Sequence, residues 1–530
     1  MATTEQDLRL KLLNTLLTTP HRDLRAVYPV HQEILAQDPR FYVQLAAWYA
    51  EEGEVRDHKE MFVVNLSLSD FPGHRDVGLA LLRELPPYQV GRVVDFIKGK
   101  DVTRTVKRDR RSEAVPEKQG LFRNVPRSMR TEIVRYLRER EGEPEWFDSS
   151  VLQARRALKR LYAGLHIPLT DRVQAVLFDE SPPADSRLFA LKAIAGAQTP
   201  AEQARAIVDN KIPYRVASSV IKHLTPAVMV ALVHQMTPQE LINNLGSLKR
   251  HGAMDNPELK ALIEEKIELA KTDVRVSAFK AKKAIEAADV SKDVAEKLDA
   301  VTEARVKAKG KIVRSTALLI DKSGSMKEAI EIGKNVAALI AGICEAGLYV
   351  YAFDAVGYPI DAAQTPPAKP AKKLFSGWLG GNAAKTEEEE PKEEHKPTLA
   401  DWEKAFAGIE AGGQTSCGVA LEMMRRGKQA VEQIVMVTDE EENQRPYFVE
   451  TLKLYSQELS VAPHVVFVKT RGASNQLEAQ CQSEHVPFDT YQFAGDYYAL
   501  PNLVPLLARP SRLDLLLDIM AYPLPRRKAA

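Results

Sequence analysis

Short helical stripes and short apolar runs divide this chain into two differently patterned halves. From residue 6 to about residue 288 the apolar positions recur at the three- and four-residue spacing of amphipathic helices, with no convincing series of strands. Thr199-Pro200-Ala201-Glu202 and Thr237-Pro238-Gln239-Glu240 each carry Thr at a cap, Pro at the first helical position and Glu three residues after the Thr. In that arrangement the two side chains take up free amides at the helix start, and the proline has no amide to leave unpaired. Thr225-Pro226 opens another helix in the same way. Leu241, Ile242, Leu245 and Leu248 then share one stripe, with Gly252 as a stop. Repeated helices of this kind predict stacked pairs, an α-solenoid.

The second half alternates. Apolar runs at 316–320, 348–353, 434–438 and 464–468 read as buried strands, and 328–346, 419–430 and 447–459 as helices between them. That order predicts a doubly wound α/β sheet. A charged, Ala/Lys-rich stretch joins the halves, so the expected division is a helical domain over 1–290, a helical linker over 291–312 and a sheet domain over 313–525. Residues 365–397 are rich in Pro, Lys and Glu and bury too little to offset ordering entropy, so a disordered insertion is expected there. Trp378 within it reads as incidental.

Composition changes the picture little. A chain of 530 residues with 45% hydrophobic content and a net charge of +1 is long enough for two or three domains. Any basic patch has to be local. The N-terminus carries no basic-plus-apolar signal and no run is long enough to span a membrane, so a cytoplasmic protein is expected. Cys344, Cys417 and Cys481 are neither a disulfide framework nor a zinc set, and Cys417 reads as an inert thiol.

Candidate chemistry sits at the strand ends. Asp321-Lys322-Ser323-Gly324-Ser325 follows the run at 316–320, Thr415 lies in the turn Gly412-Gly413-Gln414-Thr415-Ser416, and Asp439 ends the strand at 434–438. Ligands of open α/β sheets bind outside such carboxyl ends. One carboxylate and two hydroxyls in the first loop suit a hard divalent cation such as Mg2+. These three loops resemble the metal-ion-dependent adhesion motif of von Willebrand factor A domains. The resemblance implies that Asp321, Ser323, Ser325, Thr415 and Asp439 hold a metal, leaving a position for a partner's acidic side chain. No obvious base accompanies the motif. Glu440-Glu441-Glu442 could belong to a two-metal nuclease or form a solvated acidic rim; the latter is expected, and with it no enzyme.

Local positive charge lies between residues 98 and 160, where Lys and Arg outnumber Asp and Glu by nearly two to one. Arg123, Arg127 and Arg130 recur at helical spacing. Such a face suits a phosphate backbone, since each contact releases condensed counterions. A solvated face balanced by Glu132, Glu139 and Glu141 is the equal alternative.

The order of the halves adds a second resemblance. Lys211-Ile212-Pro213-Tyr214, Val228-Met229-Val230-Ala231-Leu232-Val233-His234-Gln235-Met236-Thr237 and Leu241-Ile242-Asn243-Asn244-Leu245-Gly246 resemble the TROVE module of the Ro autoantigen family. Gly120-Leu121-Phe122-Arg123-Asn124-Val125-Pro126-Arg127 and the Trp146-Phe147-Asp148-Ser149 turn are a looser match. The resemblance implies a ring of HEAT-like helical repeats followed by a von Willebrand factor A domain, monomeric and without enzymatic activity. It implies a hole that takes single-stranded 3′ ends of misfolded noncoding RNA, an outer face for a Y-RNA-like small RNA, and a link to an exoribonuclease for RNA quality control. Carried onto this sequence, Arg123, Arg127, Arg130, Lys159, Arg160 and His166 are candidate RNA contacts, and Asn243 and Arg250 candidate channel residues. A metal-dependent protein-interaction scaffold that uses no RNA is the competing reading.

Overall fold

The computed structural model describes residues 24–53, 55–108, 111–179, 181–288, 290–362, 396–470, 472–492, 503–508 and 512–527. Residues 365–395 of the expected insertion, Trp378 included, lie outside them. Two compact units divide the chain, one formed by Met1–Gly310 with Ala494–Ala530 and the other by Lys311–Phe493.

The first unit is the predicted solenoid. Proline opens the helices Pro39–Glu52, Pro87–Lys98, Pro144–Gly164, Pro200–Asp209, Pro226–Gln235, Pro238–Arg250 and Pro257–Ala270. The Thr199 box is complete, with Glu202 N donating to Thr199 Oγ1 and the Glu202 carboxylate accepting from Thr199 N. Thr237 caps through Glu240 N, whereas Thr225 makes no side-chain cap. Helices two places apart pack on one another: Pro200–Asp209 on Pro226–Gln235, that helix on Pro257–Ala270, and that on Lys292–Lys307. Pro238–Arg250 and Ala278–Ala288 form the adjoining row. Sequence spacing between repeats is loose because only the stripe, not the loop length, has to recur. Leu241, Leu245 and Leu248 are wholly buried in the shared core.

Three features depart from the expectations. The segment placed in a linker is the helix Lys292–Lys307, whose Val294, Leu298 and Val301 belong to the same core. The helix Arg512–Ala521, assigned by sequence to the sheet domain, packs on Pro39–Glu52. Its Leu515, Leu516 and Ile519 are buried, and each such side chain removed from water contributes roughly 1.5–3 kcal/mol. The helical half also contains an antiparallel hairpin, strands β1 (Lys100–Arg108) and β2 (Arg111–Gln119). Gly120 at its base is at φ +109, and a Cβ there would meet Phe96 O at 2.4 Å.

The second unit is a six-stranded sheet built from β3 (Thr316–Asp321), β4 (Leu348–Phe353), β5 (Gly357–Pro359), β6 (Gln433–Thr438), β7 (His464–Lys469) and β8 (Phe488–Gln492). Its order is β5-β4-β3-β6-β7-β8, parallel except for β5. Successive residues of a strand point to opposite faces. Leu319, Met436 and Phe467 accordingly pack with the helices Val419–Arg426 and Phe448–Leu459 on one side. The helix Ile330–Ile343 packs on β3 and β6, and on it lies Leu399–Ala407. The chain winds outward in opposite directions from β3 and β6, so a crevice opens between their carboxyl ends. Among the described residues no helix is long and apolar enough to cross a membrane.

Candidate functional site

The three metal-motif loops converge at that crevice. Ile320 lies in register with Val437, which sets Asp321 beside Thr438. Thr438 Oγ1 donates to Asp321 Oδ2 at 2.7 Å, and Ser323 N donates to Asp321 Oδ1 at 2.8 Å. The Ser323 and Ser325 hydroxyl oxygens are 3.1 Å apart. Asp321 and Ser323 are wholly buried, Thr415 and Asp439 nearly so, and Ser325 is exposed. Burial above all, reinforced by the charge of Asp439, pushes the Asp321 carboxyl up to about 7. A desolvated carboxylate facing a second carboxylate is the electrostatic setting a cation relieves.

Loops one and two are tied through their backbones. Gly324 N donates to Gly413 O at 3.1 Å and Gly412 N to Lys322 O at 2.7 Å. Gly413 is at φ +87 with the Asp354 side chain 3.2 Å from where a Cβ would sit, so glycine is required there. Lys322, the one basic group inside the motif, is paired with Asp354 and lies over the Tyr358 ring. It offers no unpaired base. The three cysteines are free; burial pushes the Cys417 thiol well up, in keeping with an inert role. Among the described residues no group of three or more His, Cys, Asp or Glu could hold a metal. The loops present a different donor set, two carboxylates and three hydroxyls, which suits a hard cation that keeps part of its water shell.

The Glu440-Glu441-Glu442 run divides by direction. Glu440 and Glu442 are buried and Glu441 is exposed. The Glu440 carboxylate meets Lys469 at 3.2 Å, and Glu442 Oε1 accepts from Cys417 N and Phe448 N. Two of the three are therefore bracing the fold, and only Glu441 fits the expected solvated rim.

In the helical unit a cavity of about 1540 Å³ is bordered by helices from Pro39–Glu52 to Pro87–Lys98 and from Tyr214–Val220 to Lys292–Lys307. Among the described residues nine lysines and arginines line it against four carboxylates, which makes the wall cationic. Asn243 and Arg250 are among the residues that line it. Arg56, which also lines the cavity, lies over the Tyr88 ring. Gln239 Nε2 donates to Asn243 Oδ1 at 3.1 Å. Arg250 and Arg215 are exposed and have no carboxylate partner among the described residues.

The other candidates lie elsewhere. Arg123, Arg127, Arg130, Lys159, Arg160 and His166 do not line this cavity. Arg123 and Arg127 are exposed. Arg130 binds the carbonyls of Leu165 and His166, Arg160 is paired with Asp95, and Lys159 lies over the Phe178 ring. His166 is exposed at φ +49, a turn residue after Pro144–Gly164. The glutamates suggested as their counter-charges are engaged otherwise: Glu132 with Arg83 and Arg527, Glu139 with Arg83, Glu141 with Arg138. Sequence reading missed Arg215, Arg275, Lys283 and Arg305 as cavity residues. Only Arg215 carried a signal, as the residue after Lys211-Ile212-Pro213-Tyr214.

No family model matches the chain, and no curated protein does. Among solved structures, the crystal structure of the Deinococcus radiodurans Ro (RSR) protein matches over 94% of this chain and 99% of that chain, at 14% identity and a TM-score of 0.58. Proximal thread matrix protein 1 from the mussel byssus matches 38% of this chain and 48% of its own, at 16% identity and a TM-score of 0.25, and nothing rests on that likeness. A helical-repeat unit joined to a mixed six-stranded sheet, matched along nearly its whole length, gives this chain the fold of a Ro protein.

Proposed function

We propose that this chain is a nonenzymatic RNA-binding protein whose helical cavity receives single-stranded ends of small or misfolded noncoding RNA. The observation that carries the reading is the cationic cavity wall, on which Arg215 and Arg250 lack carboxylate partners among the described residues and Asn243 adds an amide. Phosphates tracking such a wall displace counterions, while Tyr88 and the amides present stacking and hydrogen-bonding surfaces to bases of any sequence. An outer site for a structured, Y-RNA-like partner would draw on the exposed Arg123 and Arg127. The test is a binding titration with a hairpin RNA carrying a single-stranded 3′ extension and with its blunt counterpart, over a range of salt. The extended RNA is expected to bind more tightly, with log affinity falling linearly in log salt. Equal affinity for the two RNAs, or a flat salt response, would end the cavity reading.

The loops of the sheet unit support a second, compatible activity: a Mg2+ held by Asp321, Ser323, Ser325, Thr415 and Asp439 that captures an acidic side chain of a partner protein. An exoribonuclease recruited this way would meet the RNA held by the same chain. Without RNA, the same loops would make the protein a metal-dependent scaffold. Pull-down of a partner that survives RNase but not EDTA would favour the scaffold alone.

A further inference from the structure

Thr415 is held more tightly than a residue in a glycine-rich turn needs to be. Its N–H donates to Asn443 Oδ1 at 2.9 Å, and its carbonyl oxygen accepts from Asn443 N at 3.0 Å and Gln444 N at 2.9 Å. Three hydrogen bonds therefore fix both ends of one residue against a two-residue segment of the third loop. That segment is itself braced. Glu442 N donates to Gln476 Oε1 at 3.1 Å, and Gln476 Nε2 returns to Glu442 O at 2.8 Å. The buried Glu442 carboxylate accepts from Cys417 N at 3.1 Å and Phe448 N at 2.8 Å, so it ties the residue two after Thr415 to the start of the helix Phe448–Leu459. Close approach of the two loops is visible again at Gly418, where a Cβ would meet Pro446 O at 2.6 Å.

We propose that Asn443 is a positioning residue for the cation site: its carboxamide sets the orientation of the Thr415 hydroxyl without touching the cation. This inference rests on the reading of the three loops as a cation site. Of the three hydrogen bonds at Thr415, the one from its N–H is the one a side chain supplies, so it is the one a substitution can remove alone. Asn443 is largely exposed, and its replacement leaves no cavity in the core. Loop two carries the single ligand with no strand behind it, since Asp321 ends β3 and Asp439 follows β6 directly. Its geometry depends on side-chain and turn contacts for that reason. Outer-sphere hydrogen bonds that orient a ligand are worth roughly ten- to a hundredfold in metal affinity.

The experiment is calorimetric titration of Mg2+, and of Mn2+ as a tighter probe, into the full chain and its variants Asn443→Ala, Asn443→Asp, Thr415→Val and the double variant Asn443→Ala/Thr415→Val. Melting in EDTA reports any loss of fold. Expected are a roughly ten- to hundredfold loss of affinity in Asn443→Ala, none in Asn443→Asp, which keeps the acceptor oxygen, and an unchanged metal-free melt. In the Thr415→Val background, Asn443→Ala is expected to cost nothing further. Wild-type affinity in Asn443→Ala, or a loss that adds to that of Thr415→Val, overturns the positioning role while leaving the cation site intact. No cation binding by the wild type overturns the site itself, and this inference with it.

Discussion

The guanidinium of Arg130 donates from Nε to Leu165 O at 2.9 Å and from Nη2 to His166 O at 3.1 Å. These carbonyls lie just past the carboxyl end of Pro144–Gly164, so the side chain ties the helix Arg127–Gly142 to the turn that ends its neighbour. Arg130→Ala is therefore expected to destabilise the helical unit by on the order of 1 kcal/mol, seen as a lower thermal midpoint. The exposed Arg127→Ala should leave the midpoint unchanged. Identical melts for the two would show that the latch contributes nothing.

Cavity and outer face separate by salt dependence. Arg215→Gln with Arg250→Gln should weaken binding of RNA with a single-stranded 3′ end and make the log–log salt slope shallower by about one per arginine removed. Arg123→Gln with Arg127→Gln should leave that slope unchanged, because neither residue lines the cavity. Filter binding at several salt concentrations reads both. The reverse pattern would move the single-strand site to the outer face.

Metal dependence has a direct readout in the sheet unit. A cation bound only by the folded state stabilises it by about 2.7 kcal/mol at a hundred times its dissociation constant. Saturating Mg2+ should raise the thermal midpoint and EDTA reverse the rise. Asp321→Asn should abolish the shift. A shift of equal size in that variant would mean the ion binds somewhere else.

Acid should loosen the first helices. His31 Nε2 faces His58 Nδ1 at 3.0 Å, His31 Nδ1 faces the Tyr42 hydroxyl at 2.8 Å, and Asn65 Nδ2 donates to that hydroxyl at 3.1 Å, all buried. Burial first, and then the charge on His58, hold the His31 imidazole well below its ordinary value. Above about pH 6.5 folded and unfolded chains are both neutral at this position, and its contribution is intact. Below it the unfolded chain takes up a proton that the folded chain refuses, so stability falls by up to about 1.4 kcal/mol per pH unit. Midpoints at about pH 7.5 and about pH 5.5 should differ more for the wild type than for His31→Gln. An equal drop in both would exclude this histidine as the cause.

Local features were legible in the amino-acid order. β3 and β6 appear as apolar runs because both of their faces are covered, and the loops after them are short enough for Asp321, Ser323, Ser325 and Asp439 to be read as a motif. Thr199 announces its helix because a capping box is complete within four residues. The hairpin escaped notice because its strands carry Lys, Arg, Thr and Glu between isolated valines, a composition that also suits a solvated helix. β8, an edge strand reading Phe-Asp-Thr-Tyr-Gln, carries too short an apolar signal. Arg130 meets a carbonyl 35 residues away and Arg527 a carboxylate 395 residues away, separations at which no periodicity operates. The cavity is least legible of all, since Arg56 and Arg305 border one space from distant parts of the chain.

The return of Arg512–Ala521 to Pro39–Glu52 has a consequence for biogenesis. Synthesis is vectorial, so the early helix leaves the ribosome with an apolar flank bare, and its cover emerges only after the whole sheet unit has been made. Nascent chains carrying exposed greasy surface for that long are substrates for holdase chaperones. Maturation of the helical half is thereby deferred until the intervening half has been completed.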